Sequence, residues 1–184
     1  RRVSQRLADT GLQVLDVELA RLGPDDEPEN YVGVLEAAAA IGARHVLGQL
    51  NDPDQARATE RFGRLCDLAL DFGLTVDLEY VPIAAVANLA QAAEVLRTVN
   101  RSNAGLMIDM HHFHRARDNP ADLDRLPREW FHFAQLCDAP AEIPAERAEM
   151  IRIMREGRLY VGEGGIDVAG TLAHIPPCVD SIEL

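Results

Sequence analysis

Short apolar or β-branched runs alternate along the chain with longer, alanine-rich, charge-decorated stretches. The strand-like runs are LQVLDVEL (12–19), ARHVLGQL (43–50), LTVDLEY (74–80), NAGLMID (103–109), FHFAQLCD (131–138) and VDSIEL (179–184), with a weaker GRLYVG at 157–162. The stretches between them predict helices near 29–41, 54–72, 84–99, 120–126, 142–155 and 167–174. For the helix from 54, Asp52 serves as N-cap, Pro53 suits the first turn and Gln55 completes a capping-box-like spacing. Phe62, Leu65, Ala69 and Phe72 recur on one face of it, and Gly73 is a natural stop. Asn119-Pro120 is a second cap-plus-proline start.

Strand–helix alternation with short loops predicts a parallel sheet covered by helices, either doubly wound or closed as a barrel. A doubly wound dinucleotide fold needs a glycine fingerprint at a strand-to-helix turn. VGEGGID (161–167), the glycine-dense stretch, lacks that spacing and comes late, and no GxxxxGK[ST] loop occurs. Seven strand signals are present, where a whole barrel has eight strands in about 250 residues. The chain opens in a helix-like segment and stops on a strand. The expected fold is therefore a (β/α)8 TIM barrel, incomplete in this chain, with its first strand and last helix missing and residues 1–184 forming one domain.

Composition narrows the partners. Of 184 residues, 47% are apolar and 26% charged, as in a soluble globular chain. No run approaches the roughly 18 apolar residues of a membrane span. The N-terminal RRVSQRLADTG is basic but has no apolar core, so it is not a secretory signal. It also lacks an initiator Met, so the chain is expected to begin inside something larger or to be processed. A net charge of −12 argues against nucleic acid and anionic lipid as partners and tolerates a bound cation. Cys66, Cys137 and Cys178 show no CxxC pairing, which argues against a disulfide framework or a zinc cluster and fits a reducing cytoplasm.

Barrel chemistry collects where strands end. The 74–80 run ends with Glu79, the 103–109 run with Asp109, the 131–138 run carries Gln135 and ends with Asp138, and the 179–184 run carries Glu183. Strand interiors avoid such residues, and clustered carboxylates repel unless a cation offsets them. Oxygen ligands suit Mg²⁺ or Mn²⁺ better than a zinc site of Cys and His. In LMIDMHHFHR (106–115), His111, His112 and His114 follow Asp109. His111 and His114 are expected in a loop, with no chemistry assigned. Cys137 shares the strand face of Gln135 and is expected as a packed, inert thiol. Glu18 is either a cavity or a surface carboxylate. Glu163 and Asp167 should serve the glycine loop and the next helix start, and Trp130 should be core.

The stretches LEY, IDMHHFHR, FAQLCDAP, GEGGIDVAGTL and SIEL, in that order, resemble the xylose isomerase-like TIM barrels, and the likeness runs from about residue 5 to the end. That superfamily includes sugar phosphate isomerases/epimerases, inosose dehydratases, 3-dehydroshikimate dehydratases and the endonuclease IV group. The resemblance implies one divalent metal held by Glu79, Asp109, Gln135 and Glu183, with Mn²⁺ or Mg²⁺ expected and Zn²⁺ or Co²⁺ as substitutes. It places the family's D-x-x-H spacing on Asp109 and His112, and its arginine before the glycine motif on Arg158, both as substrate-binding groups. It implies a metal-dependent sugar (phosphate) isomerase or epimerase, with Glu79 and Glu183 exchanging a proton next to a carbonyl through a metal-stabilised enediolate. Gln135 departs from the histidine usual in sugar epimerases and is similar to some dehydratases, so a dehydratase is the rival enzyme and a non-catalytic incomplete barrel the rival outside catalysis. The implied partner is a small carbohydrate-like molecule, with homodimerisation left open.

Overall fold

The computed structural model describes residues 2–184. Six strands form one sheet in sequential order: β1 (Asp16–Leu22), β2 (His45–Leu50), β3 (Thr75–Glu79), β4 (Ala104–Asp109), β5 (Phe133–Leu136) and β6 (Val179–Ile182). The helices are α1 (Arg2–Thr10), α2 (Val32–Ala40), α3 (Gln55–Leu70), α4 (Leu89–Val99), α5 (Met110–Ala116), α6 (Arg147–Glu156) and α7 (Val168–Leu172). Parallel strands in sequential order, joined by helical crossovers, are the arrangement of a (β/α)8 barrel, here with six of its eight strands. Every residue of β2 and β4 is buried, as expected of parallel strands covered on both faces.

The chain forms two compact units. The first contains the chain up to Leu78 together with Glu94–Gly105, and the second Glu79–Ala93 together with Leu106–Leu184. In the first, β1 and β2 run parallel with Leu22 opposite Leu50, and β2 and β3 with His45 opposite Thr75. Phe62, Leu65 and Ala69 of α3 are fully buried in this unit. In the second, Asp109 of β4 lies opposite Gln135 of β5, and Leu136 lies opposite Ile182 of β6.

Several boundaries differ from the sequence reading. β1 starts and ends later than 12–19, because Leu12 is exposed whereas Ala20 and Leu22 fill the core. Asp54, not Asp52, caps α3 by accepting from the Arg57 backbone N–H at 3.1 Å. Asp52 instead accepts from the Arg57 guanidinium at 2.6 and 2.7 Å. The helix does stop at the glycine turn, where Gly73 takes φ +70°. α4 starts at Leu89 rather than 84 because Asn88 accepts from the Gln91 N–H at 3.0 Å while the Gln91 side chain accepts from the Ala87 N–H at 2.7 Å, a reciprocal cap. Residues 120–125 form a 3₁₀ helix capped by Asn119, and Trp130 is half-buried rather than core. The 157–162 run is not a strand of the sheet, since only Leu159 bridges, antiparallel, to Asp138.

Candidate functional site

All six sequence-predicted site residues fall in the second unit. Asp109 ends β4 and caps α5, its Oδ1 accepting from the His112 N–H at 2.9 Å. A buried strand thus turns directly into a helix, and the segment expected as a histidine loop is helical. His111 and His112 are buried in its first turn, and His114 is half-buried. The Asp109 Oδ2 accepts from Arg158 Nη1 at 2.7 Å. The same nitrogen stands 3.3 Å from Glu183 Oε2 and donates to Cys137 Sγ at 3.0 Å. Arg158 Nε donates to the Met154 carbonyl at 3.2 Å, which ties the guanidinium to α6. Glu183 follows β6 and donates its N–H to the Leu136 carbonyl at 3.1 Å, extending the ladder to the tip of β5. His112 Nε2 lies 3.6 Å from Glu79 Oε1. Gln135 is buried beside Asp109 across the β4–β5 ladder.

The electrostatics follow from burial and these partners. Burial alone would raise the Asp109 carboxyl, but His112, the Arg158 guanidinium and the helix N–H hold it well below the usual carboxylate range. Burial would lower Arg158, and Asp109, Cys137 and Glu183 hold it above its ordinary value instead. Burial drives His111 down to about 3, with His112 adding to the effect, so the imidazole is neutral. His112 is also lowered, first by burial and against the pull of Asp109. Burial pushes the Cys137 thiol up to about 11, the inert thiol expected.

Asp138 does the work expected of Glu163. Its Oδ1 accepts from the Ala139 and Ile166 N–H groups at 2.8 and 2.9 Å, and its Oδ2 from the Gly162 N–H at 3.0 Å. Its backbone pairs both ways with Leu159. A Cβ on Gly164 would stand 2.3 Å from the same carboxylate, so glycine is required there. Asp138 therefore anchors the loop that leaves Arg158, while Glu163 is exposed. Asp167 does start the next helix, accepting from the Gly170 N–H at 2.9 Å. Glu18 is exposed. The buried role of His111 escaped the sequence reading. Its available signal was the cap spacing from Asp109 to His112, which marks a helix start and not a loop.

By donor chemistry the four sequence-predicted ligands suit a divalent cation, while the buried group in this unit whose ligand atoms lie within 4.8 Å of one another is Asp109, His111 and His112. Glu79, Asp109, Gln135 and Glu183 offer carboxylate and amide oxygens, the ligand type of Mg²⁺ and Mn²⁺. The position between Asp109 and Glu183 already accommodates the positive charge of Arg158.

Residues 1–175 match the family described as xylose isomerase-like TIM barrel, and the chain belongs to that family. An inosose isomerase of Bacillus licheniformis is 28% identical over 158 residues, covering 80% of this chain and 54% of that protein. A 3-dehydroshikimate dehydratase of Pseudomonas aeruginosa is 29% identical over 113 residues, covering 61% of this chain and 17% of that protein. The chain spans about half the length of the inosose isomerases it matches. A crystal structure of the IOLI protein with a bound zinc atom shares the fold at a TM-score of 0.82 and 21% identity, covering 100% of this chain and 73% of that one. An L-ribulose 3-epimerase shares it at 0.73 and 19% identity, covering 99% of this chain and 65% of the other. No helix among the described residues is long and apolar enough to cross a membrane.

Proposed function

We propose that the chain carries the catalytic centre of a metal-dependent sugar or sugar phosphate isomerase/epimerase. The observation that carries this reading is the meeting of Asp109, Glu183 and Arg158, with His112 between Asp109 and Glu79, at the ends of strands far apart in sequence. Glu79, Asp109, Gln135 and Glu183 would hold the cation, Mn²⁺ or Mg²⁺ by their oxygen chemistry and Zn²⁺ or Co²⁺ as substitutes. When bound, the cation stabilises negative charge developing on the carbonyl and adjacent hydroxyl oxygens. Glu79 and Glu183, on opposite sides of the substrate, act as base and acid: one takes the proton from the carbon next to the carbonyl and the other returns a proton. His112 and Arg158 donate hydrogen bonds that orient the substrate oxygens. The substrate is a small carbohydrate-like molecule, the site of action is the cytoplasm, and a homodimer is the assembly to look for.

A second reading is a dehydratase, in which the same proton abstraction is followed by loss of water. It is favoured by the Gln135 amide and by the dehydratase among the relatives. The test is a ketose panel in D₂O with the Mn²⁺-loaded protein. Solvent deuterium at the carbon next to the carbonyl supports the isomerase, and an enone or aromatic product supports the dehydratase. Glu79→Gln or Glu183→Gln should weaken metal binding and cut turnover by about 10²–10⁴-fold, the range for losing a general base. No divalent ion bound by the full-length protein, with Glu79 and Asp109 intact, would leave a non-catalytic barrel.

A further inference from the structure

His111 stands out among the buried groups. It is 1% exposed, and neither Nδ1 nor Nε2 has a hydrogen-bond partner. A buried polar group left in that state calls for an explanation such as an ion or an ordered water. Its ring meets His112 edge-on, with centroids 5.4 Å apart and planes at 81°. One ligand atom from each of Asp109, His111 and His112 lies within 4.8 Å of the others, and all three residues are buried.

We propose that His111 and His112, together with Asp109, form an imidazole-based site for a borderline divalent cation, Zn²⁺ or Co²⁺. Two nitrogens and one carboxylate oxygen are the donors such ions take in open sites that keep a position for water. Metal–ligand bonds of about 2.0–2.2 Å place ligands on one tetrahedral ion roughly 3.3–3.5 Å apart. No edge therefore has to close by more than about 1.4 Å, which rotation about the soft χ2 torsions of the histidines and the aspartate supplies. The site shares Asp109 with the oxygen set of the proposed enzyme and rests on that reading for nothing else. Hard cations take the oxygen set, whereas imidazole favours zinc and cobalt, so the chain has two modes of metal binding that compete for Asp109.

The test uses the full chain stripped of metal and titrated separately with Co²⁺, followed by its visible absorption, and with Mn²⁺, followed by electron paramagnetic resonance. Wild type should give the intense visible bands of low-coordinate, nitrogen-ligated cobalt. His111→Phe keeps a ring of similar shape and removes the ligand. It should weaken Co²⁺ at least tenfold and leave Mn²⁺ within about twofold. Should the phenylalanine variant fail to fold by circular dichroism, His111→Gln should show the same selective loss. Gln135→Ala should weaken Mn²⁺ and leave the cobalt bands in place. Cobalt bound equally well by wild type and the His111 variant overturns the proposal and leaves His111 holding a water only. Absent Mn²⁺ binding alongside cobalt bands that vanish in the His111 variant would instead sink the oxygen-set reading and sustain this one.

Discussion

Asp52 and Asp109 are both fully buried carboxylates at or just after the C-terminal end of a strand, and both are held by arginine, yet they are built differently. Asp52 takes two hydrogen bonds from Arg57, one from the Asp54 N–H at 2.9 Å, and the charge of Arg61 at 3.6 Å. Its partners lie within nine residues along the chain, and it forms a closed clasp at the entry to α3. Asp109 takes one bond from its own helix, but its arginine is 49 residues away and is shared with Glu183. Beside it sits an imidazole with no partner. A closed local clasp has no reason to admit a ligand. A carboxylate assembled from distant segments, with a guanidinium shared with a second carboxylate and an imidazole without a hydrogen-bond partner next to it, has the makings of a site.

Replacing the arginines is the sharpest way to break this comparison. Arg158→Gln strands the buried Asp109 charge and should destabilise the metal-free protein by about 3–5 kcal/mol, the cost of breaking a buried pair from one side. A divalent cation should restore most of that loss, because it replaces the missing charge. Arg57→Gln should lower the denaturation midpoint less, and metal should restore none of it. Chemical denaturation with and without Mn²⁺ distinguishes them; an equal response to metal would erase the contrast.

A smaller effect is expected at Gly164. The alanine Cβ would collide with the Asp138 carboxylate and the Ala139 carbonyl, at 2.3 and 2.5 Å. Gly164→Ala should cost about 1–3 kcal/mol as overpacking and should speed proteolytic cleavage within 157–166. Cleavage at the wild-type rate would show that the loop does not depend on its aspartate anchor.

The smallest effect concerns the thiols. Burial pushes Cys66 up from 9.0 to about 12 and Cys137 up to about 11. Each folded pKa lies above the unfolded one, so the stability it contributes is present below pH 9. That stability is lost as pH rises from 9 through 11 for Cys137 and 12 for Cys66. At pH 8.5 iodoacetamide should label the half-buried Cys178 first, read by peptide mass spectrometry. Early labelling of Cys66 would mean that its helix opens readily.

Strand positions β2 to β6 were legible because each lies in a short run rich in apolar or β-branched residues, and the alternation with helices identified the barrel class. Glu79, Asp109 and Gln135 were legible as candidates in the same way, since each is a polar residue at or near the end of a buried strand and can be read one strand at a time. The family's motifs then picked out His112 and Arg158. The helical turn that buries His111 was not read, because three histidines and an arginine in five residues resemble an exposed loop. The anchoring role of Asp138 was missed because its partners Gly162 and Ile166 are 24 and 28 residues away.

By itself, then, the sequence determined the order of elements, the class of fold and the oxygen-rich character of the strand tips. These depend on local periodicity and on the side-chain alternation of single strands, which neighbouring residues specify. Only the tertiary structure decided that one guanidinium joins Asp109, Glu183 and Cys137, and that a carboxylate at the end of β5 anchors the glycine loop. It alone left the His111 imidazole buried without a partner. Contacts of that kind depend on the parallel register of β4, β5 and β6, which brings distant residues side by side and leaves no periodic trace along the chain.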